Sequence, residues 1–309
     1  MNILVAGMGF AGRAIAAALA RDGHGVWGLN RSGTNAPEGA RAVAGDVLLP
    51  ETLRGLSPLP PMDLLVSALS GTGHKDPELY RRVYVEGPAR VADALTWSSR
   101  RCIWFLGSTG VYGAEDGEWV DENTPANPRH RAGEVQLAAE AALRDAADEH
   151  CVLRLSGLYG PGRTRLIRQA LRKRPYFKPD IWANQIHRDD VAGVVAALAR
   201  REARAPELLL VSDDRPAPRR EIFDWVRRET GCPEGLYDED HPARAGRNRG
   251  NKRVSNRKLR ELDLPLRYPD YARGLRELLP WVSTHGPEQT IRVRRVASPE
   301  GPGGFNPHA

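Results

Sequence analysis

The stretch Asn2-Ile-Leu-Val-Ala-Gly7-Met-Gly9-Phe-Ala-Gly12-Arg-Ala-Ile-Ala-Ala-Ala-Leu-Ala-Arg-Asp22-Gly-His-Gly-Val-Trp-Gly-Leu-Asn30-Arg31 reads as a strand, a glycine turn, a helix and a second strand in immediate succession. The apolar run Ile3 to Ala6 precedes the glycines, and the alanine-rich segment Ala14 to Ala20 follows them until Asp22-Gly23 stops it. Gly7 permits a tight turn, Gly9 lets a pyrophosphate approach the backbone, and Gly12 lets helix and strand lie close together. The helix presents the N–H groups of its first turn, where Phe10 and Ala11 stand, and the positive end of its dipole to the phosphates. A dinucleotide-binding unit is expected. The competing reading is that the glycines only shape a strand-to-helix turn.

The end of the second strand bears on which dinucleotide is bound. A carboxylate roughly 20 residues beyond the first glycines holds the ribose 2′-hydroxyl of NAD, whereas an Arg receives the 2′-phosphate of NADP. Here the residues are Asn30-Arg31-Ser32: no carboxylate repels a phosphate, and a guanidinium with a neighbouring hydroxyl can bind one. NADP is expected, with NAD as the alternative, because 40 of the 45 basic residues are Arg and one can stand in a turn by chance. Asp46-Val47, just after the third strand, falls where such folds contact the adenine ring, although an ordinary turn aspartate also explains it. Ala68, closing the fourth strand, joins the expected cofactor set.

With 309 residues the chain can bury a substantial core as one large or two modest domains. Cys102, Cys151 and Cys232 lack metal-ligand spacing and suggest no disulfide framework; the first two open apolar strands as small core residues. No zinc-spaced His/Cys/carboxylate cluster and no Walker sequence occurs, so metal hydrolysis and ATP use are disfavoured. The chain opens on a core strand rather than a basic region with a long apolar stretch, and no apolar run is long enough to span a bilayer. A soluble, cytoplasmic protein without a membrane partner is expected. The net charge of +6 does not point to nucleic acid, since the arginines alternate with Glu and Asp along helices. One exception is the acid-free run Arg244, Arg247, Arg249, Lys252, Arg253, Arg257, Lys258 and Arg260, which either grips an anionic substrate or is a solvated loop.

Apolar runs near 2–6, 25–29, 41–44, 63–68, 102–107 and 151–155 alternate with helical patterns, which predicts an α/β fold of Rossmann type, a doubly wound parallel sheet. The clearest connecting helix is 78–96, entered at Asp76-Pro77, with Leu79, Val83, Ala89, Val91, Ala92 and Leu95 on its apolar side. A nucleotide-binding domain over 1–156 is expected, with returning segments to about 212. A smaller substrate-side lobe over 157–285 is interleaved with it, carrying helices near 163–173, 189–201, 218–230, 255–262 and 270–279 and a strand near 207–212. The tail 286–309 has the composition of a disordered terminus.

Between residues 2 and 279 the chain resembles the extended short-chain dehydrogenase/reductase family, the group of nucleotide-sugar epimerases and dehydratases. The motifs, in order, are Gly7-Met-Gly-Phe-Ala-Gly12, Gly45-Asp-Val47, Phe105-Leu-Gly-Ser-Thr-Gly-Val-Tyr-Gly113, Leu153-Arg-Leu-Ser-Gly-Leu-Tyr-Gly-Pro-Gly162, Ile186-His-Arg-Asp-Asp-Val191 and Arg253-Val-Ser-Asn-Arg-Lys-Leu-Arg-Glu-Leu262. The resemblance implies an acid/base tyrosine and a lysine spaced Tyr-x-x-x-Lys on one helix, stacked on one face. His130-Arg-Ala-Gly-Glu-Val-Gln-Leu-Ala-Ala-Glu140 aligns with that stretch and places Ala132 at the tyrosine and Gln136 at the lysine. Alanine has no proton to transfer and glutamine no charge. The family's serine is Ser108, and its frequent Asn-x-x-Gly asparagine is Tyr84. This combination resembles the atypical, YeeZ-like members, which keep the fold and cofactor site without the Tyr/Lys pair. The resemblance also implies that Tyr159 borders the nicotinamide, and that a homodimer pairs through the helices after strands four and five.

Candidate replacement chemistry centres on Ser108 and Tyr112 at the C-terminal end of the fifth strand, the edge where ligands bind in open sheets. In extended members the aromatic of Val-Tyr-Gly also serves in packing, and Thr109 and Ser108 also serve as turn hydroxyls. His130 and Arg131 stand one turn before the altered positions, or simply begin an exposed helix. His187 is expected to cap or anchor the helix that starts at Asp189. His74, with Gly71 and Gly73, lies in a loop that either approaches the cofactor or is merely flexible. Two functions compete. One is an NAD(P)-dependent oxidoreductase or epimerase-like enzyme on a nucleotide-sugar or other anionic small molecule. The other is a catalytically silent NADP-binding sensor or scaffold.

Overall fold

The computed structural model describes residues 1–70, 76–172, 181–232 and 250–285. Its centre is a sheet of seven strands: β1 (Asn2–Ala6), β2 (Gly25–Asn30), β3 (Ala40–Ala44), β4 (Leu64–Ser67), β5 (Cys102–Ser108), β7 (Glu149–Leu155) and β11 (Leu208–Val211). Their order is β11-β7-β5-β4-β1-β2-β3, with every neighbouring pair parallel. Side chains alternate along β1, so Ile3 and Val5 enter one core while Leu4 and Ala6 enter the other, which is why the strand is an unbroken apolar run. Helices α1 (Phe10–Arg21) and α6 (Arg188–Ala199) cover the first face through Ile15, Leu19, Val194 and Leu198. The second face is covered by α3 (Gly87–Asp93) and α4 (Arg131–Ala146) through Val91, Ala92, Ala139 and Leu143. Strand order reverses at β1, between β2 and β4, and this opens a crevice beyond their C-terminal ends.

The expected helix over 78–96 is not uniform. It starts as α2 (Pro77–Arg81), capped by the Asp76 carboxylate, which accepts the Glu78 N–H at 2.9 Å. Residues Arg82–Glu86 then form a π-helical turn before α3, and the Gly87 N–H bonds back to the Arg82 carbonyl. Pro88 has no N–H with which to reach the Tyr84 carbonyl, so the ladder widens just before it. This turn sets where Tyr84 stands relative to Tyr80, as described below.

Beyond β7 the elements are short. β8 (Gly157–Tyr159) pairs with β10 (Gln185–His187), and β9 (Trp182–Ala183) with β12 (Ala217–Pro218). β6 (Glu118–Val120), from the β5–α4 connection, pairs with β13 (Lys252–Val254). Strands of two or three residues carry too little alternation to be visible in sequence. Helices α5 (Arg165–Ala170), α7 (Arg219–Thr230) and α9 (Tyr271–His285) gather a core of their own that includes Tyr159, Ile167, Phe223, Trp225 and Leu275. Helix α8 (Arg257–Glu261) instead packs Leu259 into the main core, beside β11. The tail 286–309 lies outside the described residues. No helix among the described residues is long and apolar enough to cross a membrane.

Candidate active site

The crevice begins where β1 turns into α1. Gly7 has φ +99°, and a Cβ on it would fall 2.5 Å from the Ala68 carbonyl oxygen at the end of β4. A Cβ on Gly12 would fall 1.9 Å from the Gly7 carbonyl oxygen, so backbone sits directly against backbone there. Gly9 differs, because a Cβ on it would meet nothing within 4 Å. It is also the N-cap of α1, with no side chain capping the first turn, so the N–H groups around Phe10 and Ala11 have only their dipole direction in common. Two jammed glycines and one open glycine at a bare helix start form a cradle that fits a pyrophosphate.

At the end of β2 the Asn30 side chain is engaged in shaping its own loop. Its Oδ1 accepts the N–H of Ser32 at 3.1 Å and of Gly33 at 2.7 Å, and also the Ser32 hydroxyl; its Nδ2 donates to the Thr34 carbonyl. Arg31 is exposed beside this turn, with no carboxylate in ion-pair distance among the described residues. Asp46 accepts the Leu48 N–H at 2.9 Å through one carboxylate oxygen. Val47 is buried, and its carbonyl accepts from Arg90 Nη1 at 2.9 Å.

Ser108, half-buried at the end of β5, accepts the Gly110 N–H at 3.0 Å, which leaves its own hydroxyl hydrogen free to donate. Thr109 is buried and donates to the Leu155 carbonyl. The expectation for Tyr112 needs correction. Its ring is 2% exposed, its hydroxyl donates to the Asp121 carbonyl at 2.9 Å, and Arg154 Nη1 donates to that hydroxyl at 2.7 Å. Burial raises the phenol's pKa. Tyr112 therefore holds the β5–α4 connection in place and offers no phenol to a substrate. Tyr159 is also corrected: it is 3% exposed, stands edge-on to His187, and points its hydroxyl at α9, where a Cβ on Gly274 would fall 1.8 Å from it. It packs the lobe instead of facing the crevice. His187 caps α6 as anticipated, accepting the Asp189 N–H at 3.2 Å through Nδ1, and burial lowers its pKa.

Helix α4 begins against the Ser108 turn, since a Cβ on Gly133 would fall 2.8 Å from the Gly110 carbonyl oxygen. Ala132 is exposed in its first turn, beside a half-buried His130 and an exposed Arg131. Gln136, one turn on, is buried, and its Nε2 donates to the hydroxyl of Tyr80 at 3.3 Å while its Oε1 is buried without a partner. Tyr80 comes from α2, and its ring lies 4.5 Å from that of Tyr84, which in turn meets Phe105 edge-on at 6.5 Å. Thus a phenol from a different helix reaches Gln136, the residue expected at the lysine position. Sequence reasoning missed Tyr80; the four-residue spacing of Tyr80 and Tyr84 was the available signal.

The basic run of the C-terminal segment is tied into the protein where it is described. Lys252 donates to the Tyr112 carbonyl, Lys258 to the Leu208 carbonyl, and Arg260 pairs with Asp214. Arg253 lies between Trp119 and Trp182 at about 5 Å from each ring centre. Arg244, Arg247 and Arg249, like His74, Gly71 and Gly73, lie outside the described residues.

Residues 3–211 match the NAD dependent epimerase/dehydratase family. The chain belongs to this family. Among known proteins, the epimerase/dehydratase chain is 29% identical over 253 residues to a 3-diazoavenalumate denitrifying reductase of a Streptomyces species, covering 75% of this chain and 83% of that one. A Methylobacillus flagellatus structure assigned to the NAD-dependent epimerase/dehydratases is 35% identical with a TM-score of 0.73, covering 91% and 98% of the two chains. The structure of MoeE5 with UDP-glucuronic acid and NAD shares the fold at 23% identity and a TM-score of 0.74, covering 92% and 99%. The crevice at the strand-order reversal and the Ser108 turn both lie at the C-terminal ends of the parallel strands, and α4, which carries Gln136, begins against that turn.

Proposed function

We propose that this epimerase/dehydratase binds NADP and acts as an oxidoreductase or epimerase-like enzyme on an anionic, sugar-type small molecule, with its phenol supplied by Tyr80. The observation that carries the catalytic part is the contact between Gln136 Nε2 and the Tyr80 hydroxyl, which puts a proton-bearing oxygen beside the helix that normally carries the family's pair. The glycine cradle supports nucleotide binding, and the exposed Arg31 without a carboxylate neighbour supports the 2′-phosphate. The likeness to a reductase supports redox chemistry over silence.

When bound, the nicotinamide supplies hydride exchange. The chain's own residues would do the rest. Gly7, Gly9 and Gly12 would admit the pyrophosphate, Arg31 would meet the 2′-phosphate beside the turn that Asn30 and Ser32 close, and Asp46 with Val47 would border the adenine. Ser108 donates its hydroxyl hydrogen to a substrate oxygen, and Tyr80 holds or releases a proton at Oη. Gln136 orients that phenol and, being neutral, supplies hydrogen bonding without the charge of a lysine.

Calorimetry of the purified protein with NADP and NAD tests the cofactor. NADP is expected to bind more tightly, and Arg31→Ala to weaken NADP by about ten- to a hundredfold with little effect on NAD. Equal binding of the two by the wild type rejects the 2′-phosphate site. Nucleotide retained on purification, identified by mass spectrometry, followed by an absorbance screen against nucleotide sugars and other anionic carbonyl compounds, tests turnover.

A further inference from the structure

Two segments of the substrate-side lobe meet over a single side chain of the nucleotide-binding unit. The guanidinium carbons of Arg163, which follows β8, and Arg188, which opens α6, lie 5.5 and 5.2 Å from the centre of the Phe10 ring. The backbone of the same lobe closes on that ring, because a Cβ on Gly160 would fall 3.3 Å from its tip. Phe10 is the first residue of α1, next to the open Gly9. Three positive groups therefore converge on one spot: the helix end and two guanidiniums. Asp189 neutralises Arg188 at 3.0 Å, whereas Arg163 has no carboxylate in ion-pair distance among the described residues. Arg163 keeps an exposed surface, yet its surroundings desolvate the charge enough to lower its pKa, with Tyr84 acting in the opposite direction. Exposure and partial desolvation together describe the wall of a cleft. Like charges gathered there repel unless an anion lies among them.

We propose that Arg163, with Arg188 behind it, clamps the diphosphate of the bound dinucleotide from the lobe side, opposite the N–H groups of α1. The inference rests on the nucleotide reading above. Arginine suits this position because its planar fork donates two parallel hydrogen bonds to phosphate oxygens while its face rests on the Phe10 ring. Phosphate binding then joins the lobe to the sheet domain, because the clamp and the cradle belong to different parts of the chain.

The test is calorimetry on the full-length protein with NADP, with NAD, and with UDP as a probe for a substrate diphosphate. Arg163→Gln is expected to weaken NADP and NAD alike by about ten- to a hundredfold. Thermal unfolding of the free protein should not move, since this side chain is exposed and pairs with no acid among the described residues. Arg163→Lys should recover part of the affinity, and Phe10→Leu should lose a smaller part. Unchanged dinucleotide affinity in Arg163→Gln, with the wild type binding normally, overturns the clamp alone. So does a loss confined to UDP, which would assign Arg163 to a substrate diphosphate. A wild type that binds neither NADP nor NAD overturns the nucleotide reading itself and the clamp with it.

Discussion

Arg154 on β7 donates from Nη1 to the Tyr112 hydroxyl at 2.7 Å while its Nε and Nη2 hold the two carboxylate oxygens of Glu140 on α4 at 2.9 and 2.7 Å. All three side chains are buried. Strand β7, helix α4 and the β5–α4 connection are thus joined through one guanidinium. Removing one partner leaves a charge stranded in the interior, so Glu140→Ala is expected to destabilise the protein by about 3–5 kcal/mol. Tyr112→Phe leaves Arg154 and the Asp121 carbonyl each short of one bond and should lower stability by about 1–3 kcal/mol. Urea unfolding measures both. Nucleotide affinity should be unaltered by Tyr112→Phe; a variant of wild-type stability that has lost turnover would return Tyr112 to the chemistry.

The glycines of the cradle should separate folding from binding. Gly9→Ala adds a methyl group into open space, so the fold should lose no more than about 1 kcal/mol, while NADP affinity falls at least about tenfold because that space lies on the pyrophosphate path. Gly12→Ala drives a Cβ into the Gly7 carbonyl, a backbone clash that no rotamer relieves, and should destabilise by about 3 kcal/mol or more. Thermal denaturation and calorimetry on the two variants give the contrast. Similar behaviour of both would reject the assignment of Gly9 to the ligand path.

Tyr80→Phe removes the proposed proton while keeping the ring that stacks on Tyr84. Turnover on any substrate found in the screen should fall about a hundredfold or more, with cofactor affinity nearly constant. In that background Ala132→Tyr with Gln136→Lys should recover activity and move the pH optimum, because the exposed Ala132 site has room for a ring and the new ammonium favours tyrosinate. Full activity in Tyr80→Phe would place the proton donor elsewhere, with Ser108 and the His130-Arg131 pair the next residues to vary.

Lys252 is buried, and its ammonium donates to the Tyr112 carbonyl at 3.1 Å. Desolvation lowers its pKa to about 8 from 10.5. The folded state therefore binds this proton less firmly than the unfolded chain, so stability should rise with pH between about 8 and 10.5. Below that window the buried charge weakens the fold by an amount on the order of 3 kcal/mol. Lys252→Met lacks this titration. The stability of the wild type relative to Lys252→Met, from urea unfolding at pH 7 and pH 10, should improve at the higher pH; a flat difference would mean that the lysine titrates normally.

The parallel sheet and its glycine turn between β1 and α1 were legible in the order of residues. Apolar runs two-faced enough to be buried on both sides, glycines at fixed offsets and an alanine-rich helix are local features, and the parallel α/β arrangement follows from their alternation. The clamp position of Arg163, the burial of Tyr112 and the inward turn of Tyr159 were not, because each depends on a contact between segments far apart in the chain. Arg154 meets Glu140 across strand and helix, and Tyr159 meets α9 more than a hundred residues later. Tyr80 reaches Gln136 across 56 positions, and the π turn before Pro88 shifts the helix phase that would otherwise predict where Tyr80 and Tyr84 point. What the sequence by itself determined was periodicity, turn chemistry and the presence of Ala132 and Gln136, four residues apart, on α4. Which hydroxyl is buried in structure and which stands at the crevice was decided only by tertiary packing, since burial and hydrogen-bond partners are set by neighbours in space and not by neighbours in the chain.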